Sequence, residues 1–412
     1  MMVGYRWRST EKAMATDTFC VVGAGQAGGW IVKTLRSRGF TGRLVLVGAE
    51  GHPPYERPPL SKAALRDADA VSQTVLMSLE ALRAAGVEAR LDDPVASIDL
   101  AKRVVRCESG SEIGYDRLFL TTGALSRRPD WLGPVLSSCV HMLRTLDDAA
   151  ALREGLAAGG HLLIVGGGWI GLEVAATARA LGVGVTVVEA APRLCARSVP
   201  EPVSRWLADL HHRNGVTLHL GRSAQSMVET DGGVTLLLDD GGRIAADRML
   251  VCVGSIPETQ LAEAAGLAVS NGVMVDETGR TSDPHVFAAG DVANFPCPFV
   301  GGSVRRESWA NAQNQAIVAA RAALGDDLRY VELPWLWSEQ YEHNIQIAGL
   351  PEKAATVLFK RGTTVDGGCW LGVDANGMPI GAIGIDSPKL FRPILKALKD
   401  STPIAMDDWG CL

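Results

Sequence analysis

Two sets of glycines in this chain have the spacing of a phosphate cradle. Gly23, Gly25 and Gly28 stand in VVGAGQAGG, and Gly166, Gly168 and Gly171 stand in IVGGGWIGLE. In a G-x-G-x-x-G turn the first glycine permits a tight turn and the second lets the backbone approach a pyrophosphate. The third lets the following helix pack closely on the strand. That helix then aims its N–H groups and the positive end of its dipole at the phosphates. An acid follows each set: Glu50 lies 22 positions after Gly28, and Glu189 lies 18 positions after Gly171. Both distances bracket the roughly 20 residues at which a carboxylate meets the ribose hydroxyls of a dinucleotide. Two such sites in one chain imply two different dinucleotides, FAD at the first and NAD(P)H at the second. A carboxylate at Glu189 accepts the 2′- and 3′-hydroxyls of NADH and repels a 2′-phosphate. Arg193 and Arg197 follow and point toward NADPH, but the acid sits at the strand end and outweighs them, so NADH is expected.

Further residues suit a redox site. PPYERPPLSK (Pro53 to Lys62) has four prolines in ten residues, which fix an irregular, rigid segment that cannot be helix interior. It presents Arg57 and Lys62, cations suited to a pyrophosphate or to the electron-rich edge of a flavin; by itself it also reads as a solvated loop. TSDPHVFAAGDVA (Thr281 to Ala293) ends a strand at Gly290-Asp291, where a carboxylate can accept ribityl hydroxyls or cap the next helix. Glu173, two residues after Gly171, reads by itself as a helix-dipole acid. Trp335 and Trp337 alternate in PWLWSEQ and face one side of a strand, where core packing is the ordinary role. His211 and His212 fall in a polar helix and His219 in a strand, so the histidines form no metal-ligand set.

These residues need a particular scaffold. DTFCVVGAGQAGGWIVKTLRSRGFTGRLVLVGAE and GHLLIVGGGWIGLEVAATARALGVGVTVVEA each read as strand, glycine turn, helix and a second strand ending at an acid. That is a βαβ unit on a buried parallel sheet. Between them VASIDL, RVVRC and RLFLTTG read as strands; VTLHL, VTLLLDD and MLVCVG follow the second unit. RESWANAQNQAIVAARAALG reads as a helix. From Leu333, WLWSEQ, IQIAG, AATVLFKRG, CWLGVD and PIGAIGID read as strands with Gly and Asn turns, and PKLFRPILKALKD as a closing helix. The expected fold is α/β: two Rossmann-like dinucleotide-binding domains, for FAD and NAD, plus a C-terminal α+β domain. The boundaries are 17–125 and 246–328 for the FAD domain, 126–245 for the NAD domain and 329–412 for the last.

Composition narrows the class. With 412 residues, about two or three domains are expected. A hydrophobic content of 47% and a charged content of 21% are those of a globular chain. A net charge of −6 argues against nucleic acid as a partner. No apolar run reaches the roughly 18 residues of a membrane span, and the N-terminus shows no secretory core. The eight cysteines are scattered, with no C-x-x-C pair, as in reduced cytoplasmic proteins.

In the order GAGQAG, PPYERPPLSK, LTTGA, LRTLDDA, GGGWIGLEVAATA, VVEA, CVGSIPE, FAAGDVA and RRESWANAQ, the chain resembles NADH-dependent ferredoxin reductases. It is most similar to the reductase components of Rieske ring-hydroxylating dioxygenases, such as the biphenyl and toluene systems, and also to putidaredoxin and rubredoxin reductases. The resemblance runs from about Thr18 to the C-terminus, and Met14 is a candidate start. It implies a glutathione-reductase-like flavoprotein in aromatic hydrocarbon catabolism that passes electrons from NADH through FAD to a [2Fe–2S] ferredoxin. It places FAD contacts on Gly23, Gly25, Ala27, Gly28, Arg57, Lys62, Val95, Thr122, Gly123, Arg144, Gly290, Asp291 and Trp309. Nicotinamide-nucleotide contacts fall on Gly166, Gly168, Ile170, Gly171, Glu173, Glu189 and Gly254, with Glu173 near the carboxamide. Lys62, Glu173 and Trp337 are the expected catalytic residues, Trp337 lying beside the flavin on the ferredoxin side. One departure is that Ala49 stands where members often carry the ribose acid, and Glu50 comes one position later. The alternatives on this fold are a reductase for a cytochrome P450 ferredoxin or rubredoxin, and an NADH-sensing flavoprotein with a binding role. A disulfide or peroxide reductase would need a cysteine in the PPYERPPLSK region, which has none.

Overall fold

The computed structural model describes residues 16–133, 137–230, 232–405 and 409–411; Met14 lies outside them. Contacts divide the chain into two units. The first gathers the chain up to Glu56 with Thr74–Leu125 and Pro257–Glu332; the second gathers Arg57–Gln73, Ser126–Ile256 and the chain from Leu333 on.

The first unit is built on the strand Thr18–Val22, whose last four residues are buried. It lies in a five-stranded parallel sheet in the order Val286–Ala288, Arg117–Leu120, Thr18–Val22, Arg43–Val47, Val87–Arg90. Strands covered on both faces are apolar throughout, which is why RLFL and RLVLV carry no alternation. The helix Gln26–Ser37 buries Ala27, Ile31, Val32 and Leu35 on one side of this sheet. The helix Trp309–Ala323 adds Ala312, Ala316, Ala319 and Ala320 to the same core. The two helices meet through small residues, which let their backbones approach closely.

The second unit repeats the plan. Its parallel sheet runs Val216–Leu220, Gly184–Glu189, His161–Val165, Arg248–Val251, Val140–His141. The helix Trp169–Ala180 follows the glycine turn. A six-stranded antiparallel sheet, beginning with Trp335–Gln340 and His343–Gly349, belongs to the same unit. Ile345, Ile347, Trp370, Ile383 and Ile385 from that sheet share one core with Leu172, Leu194, Val203 and Leu207.

Three expectations need correction. The second strand of the first βαβ unit stops at Val47 and does not reach its acid. Gly48 follows it and is closely packed, since a Cβ there would stand 2.7 Å from the Cβ of Ala24. The proline segment is not wholly irregular: Pro58–Ser61 forms a 3₁₀ turn with proline in its first positions, where a missing N–H costs nothing. The helix Glu201–Arg213 is amphipathic rather than polar, and His211 lies on its buried face with Val203, Leu207 and Leu210.

Candidate functional site

The second glycine turn separates packing from ligand approach. A Cβ on Gly166 would fall 2.3 Å from the Cys252 carbonyl oxygen, and one on Gly171 would fall 2.2 Å from that of Gly166. Those glycines close the strand–helix contact. A Cβ on Gly168 would meet nothing within 4 Å, so that position opens onto space. The helix beginning at Trp169 has no side-chain cap and no acid in its first turn, so its first N–H groups are left to an anion. Ile170, next in line, is 46% exposed, unusual for an isoleucine beside a helix core. At the strand end, Glu189 accepts from the Gly167 N–H at 2.6 Å and the Ala191 N–H at 2.7 Å. Its carboxylate thereby borders the turn. Arg193 is committed elsewhere: its guanidinium donates to the Val199 and Ala196 carbonyls and to Ser204 Oγ. Arg197 is exposed. Gly254, at φ +105°, accepts from the Arg127 N–H through its carbonyl.

Within the first unit, Gly23 and Gly28 play the packing roles: added Cβ atoms would meet the Thr121 carbonyl at 2.2 Å and the Gly23 carbonyl at 2.0 Å. The helix beginning at Gln26 likewise has neither cap nor first-turn acid. The end of this helix is tied to the Gly290-Asp291 turn. Gly290, at φ +83°, would bring a Cβ to 3.0 Å from that of Ala27, and its N–H donates to Gln315 Oε1 at 2.8 Å. Gln26 Nε2 donates to the Trp309 carbonyl at 2.9 Å. Arg305 donates to the Asp291 carbonyl, which leaves the Asp291 carboxylate to its own partners. Gly25, Ala27, Gly290, Asp291 and Trp309 are therefore one neighbourhood. Ala49 is exposed, while the Glu50 carboxylate is held 2.5 Å from the hydroxyl of buried Tyr55. Thr122 Oγ1 donates to the Glu258 carbonyl at 2.7 Å, and Gly123 accepts from the Glu258 N–H. Val95 stands apart, in a small antiparallel sheet opposite Cys107.

The second unit also holds a buried ion pair. Lys62 Nζ lies 2.9 Å from Glu173 Oε2, and Ser61 Oγ donates to the same oxygen. Ser338 Oγ donates to Glu173 Oε1 at 2.7 Å. Glu173 is 6% exposed and lies in the second turn of its helix, so the helix-dipole reading does not describe it. A buried carboxylate needs such donors. Removing one partner of a buried pair costs about 3–5 kcal/mol. The proline segment thus delivers Lys62 to Glu173, and it sends Arg57 Nη1 to the Arg144 carbonyl. Trp335 and Trp337 stack at 5.4 Å between ring centroids. Ser61 falls inside PPYERPPLSK, beside Lys62, and Ser338 inside PWLWSEQ, opposite the tryptophan face, but neither residue type marks a site by itself.

Cys20, Cys107, Cys139, Cys195, Cys252, Cys297 and Cys369 are free. Burial pushes the thiols of Cys20, Cys195, Cys252 and Cys369 upward, which suits packing rather than nucleophilic chemistry. Among the described residues no group of three or more His, Cys, Asp or Glu is placed to hold a metal ion. No described helix is long and apolar enough to cross a membrane.

Two glycine-turned parallel sheets, with an acid after each turn and a buried Lys–Glu pair, define a two-dinucleotide oxidoreductase fold. The chain belongs to the pyridine nucleotide-disulphide oxidoreductase family, which matches residues 17–316, and carries the reductase C-terminal family at residues 335–409. It is 40% identical over 348 residues to the anthranilate 1,2-dioxygenase system ferredoxin–NAD(+) reductase component of Burkholderia cepacia, covering 84% of this chain and 85% of that protein. It is 40% identical over 346 residues to the biphenyl dioxygenase system component of Paraburkholderia xenovorans, covering 84% of each. The covalent putidaredoxin reductase–putidaredoxin complex contains a chain that superposes with a TM-score of 0.90 at 32% identity, covering 95% of this chain and 94% of that one.

Proposed function

We propose that this protein is an NADH:ferredoxin reductase that takes FAD at the first glycine turn and NADH at the second, and reduces a [2Fe–2S] ferredoxin serving a ring-hydroxylating oxygenase. Bound FAD would supply the ability to take a hydride from NADH and release its two electrons singly. The chain's own residues bind and orient. Gly23, Gly25 and Gly28 bring the helix at Gln26 to one pyrophosphate; Gly166, Gly168 and Gly171 bring the helix at Trp169 to the other. Glu50 and Glu189 take ribose hydroxyls, and Asp291 takes the ribityl chain. Arg57, Arg144, Thr122, Gly123, Val95 and Trp309 complete the flavin contacts, and Ile170 and Gly254 those of NADH. Glu173 and Lys62 orient the reacting ends, and Trp337 lines the ferredoxin side. The segments 17–125 with 246–328, 126–245 and 329–412 serve as the FAD, NAD and C-terminal parts.

The observation that carries the reading is Gly168: an uncapped helix N-terminus opens onto space at the second glycine, with a carboxylate closing the turn. The relatives' names support the ferredoxin end of the reaction. The test is cofactor choice. With ferricyanide as acceptor, kcat/KM for NADH should exceed that for NADPH by at least about tenfold, and Glu189→Ala should narrow the gap by removing a hydroxyl acceptor and a phosphate-repelling charge. Equal values in the wild type would overturn the assignment of NADH.

A further inference from the structure

The Glu173 carboxylate is the end of a hydrogen-bond chain that runs through the interior of the second unit. Ser338 Oγ donates to Glu173 Oε1 at 2.7 Å, and Gln340 Nε2 donates to Ser338 Oγ at 3.1 Å. The Gln340 amide oxygen lies 2.9 Å from His211 Nε2, and the Tyr341 hydroxyl lies 3.1 Å from His211 Nδ1. An amide oxygen only accepts, so Nε2 carries the imidazole proton and Nδ1 accepts from Tyr341. Each member therefore donates in the same direction, toward Glu173. Burial lowers the His211 imidazole to about 4, and the neutral ring has the one donor and one acceptor that the chain uses.

The chain lies in the interior: Ser338 and His211 are fully buried and Gln340 is 1% exposed. Apolar side chains would fill these positions without the desolvation cost of three polar groups. The strand Trp335–Gln340 has two faces. Its odd positions carry the stacked tryptophans, and Ser338 and Gln340 point the other way. Ser61 and Lys62 hold the second carboxylate oxygen. Glu173 is thus gripped from the proline segment on one side and from the C-terminal sheet on the other.

We infer that Ser338, Gln340 and His211 are positioning residues that fix the Glu173 carboxylate and so set the affinity for the nicotinamide half of the nucleotide. The inference rests on the nucleotide site proposed above. They act through Glu173 and need not touch the nucleotide.

Calorimetric titration of the purified flavoprotein with NAD+ and with ADP-ribose tests this, because ADP-ribose keeps the half that the glycine turn holds and lacks nicotinamide. Ser338→Ala, which removes one oxygen, should weaken NAD+ about tenfold, the worth of one hydrogen bond to a charged group. ADP-ribose should stay within about twofold. Gln340→Met should shift NAD+ in the same direction and serves if Ser338→Ala does not fold. Unchanged NAD+ affinity overturns the inference, as does equal weakening of both ligands or failure of both variants to fold. If the wild type binds neither ligand, the nucleotide site itself is wrong, and that result is distinct from every variant-specific outcome.

Discussion

Glu50 and Glu189 follow corresponding turns, yet their carboxylates are held differently. Glu189 stands at its strand end and takes two backbone N–H groups of its own turn. Glu50 lies three residues beyond its strand and is steadied by the Tyr55 hydroxyl. Tyr55 belongs to the proline segment, so PPYERPPLSK steadies the Glu50 carboxylate and also carries Lys62. Asp291 bears on flavin retention through its proposed ribityl contact. Asp291→Ala should weaken FAD binding by about 1–3 kcal/mol for each polar group left without a partner, read as the FAD dissociation constant after resolution and reconstitution. Retention as tight as wild type would make the Gly290-Asp291 turn a packing device only. His211 bears on acid stability. Its folded value near 4 lies below the ordinary 6.5, so between those values the unfolded chain binds more protons. Its contribution is complete above about pH 6.5 and is lost as the pH falls toward 4. The melting temperature of wild type should drop across that window more steeply than that of His211→Gln; parallel curves would contradict this.

At the scale of an element, the strand–turn–helix of the second fingerprint assigns separate tasks to its glycines. Gly171 lets the helix approach, because a Cβ would meet the Gly166 carbonyl. Gly168 has room for a Cβ and ordinary backbone angles, φ −86° and ψ −178°. Gly168→Ala should therefore fold with a melting temperature close to wild type while losing nucleotide affinity. Gly171→Ala should lower the melting temperature, since the methyl can be admitted only by moving helix from strand. Thermal denaturation with NAD+ titration separates the two, and a stability loss at Gly168 equal to that at Gly171 would end the distinction. The helix Pro388–Asp400 makes a different point. Pro393 lies inside it, yet the helix continues through that residue, which is exposed. Phe391, Ile394, Ala397 and Leu398 bury its other face, and that packing outweighs the lost hydrogen bond.

At the scale of the whole chain, a net charge of −6 sets the background against which a local basic face acts. Lys389, Arg392, Lys396 and Lys399 are all exposed on the last helix, at spacings that share one face. Lys396 also pairs with Asp400 at 3.0 Å, an exposed contact worth little in water. An acidic ferredoxin would be steered by such a face, with an on-rate that falls as salt rises. Charge reversal at Lys396 and Lys399 should slow ferredoxin reduction at low salt and flatten its salt dependence, with ferricyanide reduction by NADH unchanged. An unaltered ferredoxin rate would move docking away from this helix.

The local features were legible without coordinates because they depend on neighbours in the chain. Apolar runs broken by glycine turns, the acids near position 20 after them and the proline segment all follow from backbone geometry and short-range sterics. The strands of the last 80 or so residues were readable too, from their alternation and turn residues. Tertiary structure alone decided which polar groups meet. Lys62, Glu173, Ser338 and His211 come from four distant segments, and only the packing of helix, proline turn and C-terminal strand brings them into one hydrogen-bonded chain. Burial likewise turned Glu173 from a helix-end acid into the centre of an ion pair, and His211 from a surface residue into a fully buried one. Nothing in residue type or spacing records burial at a single polar position, since it depends on what the rest of the fold lays over it.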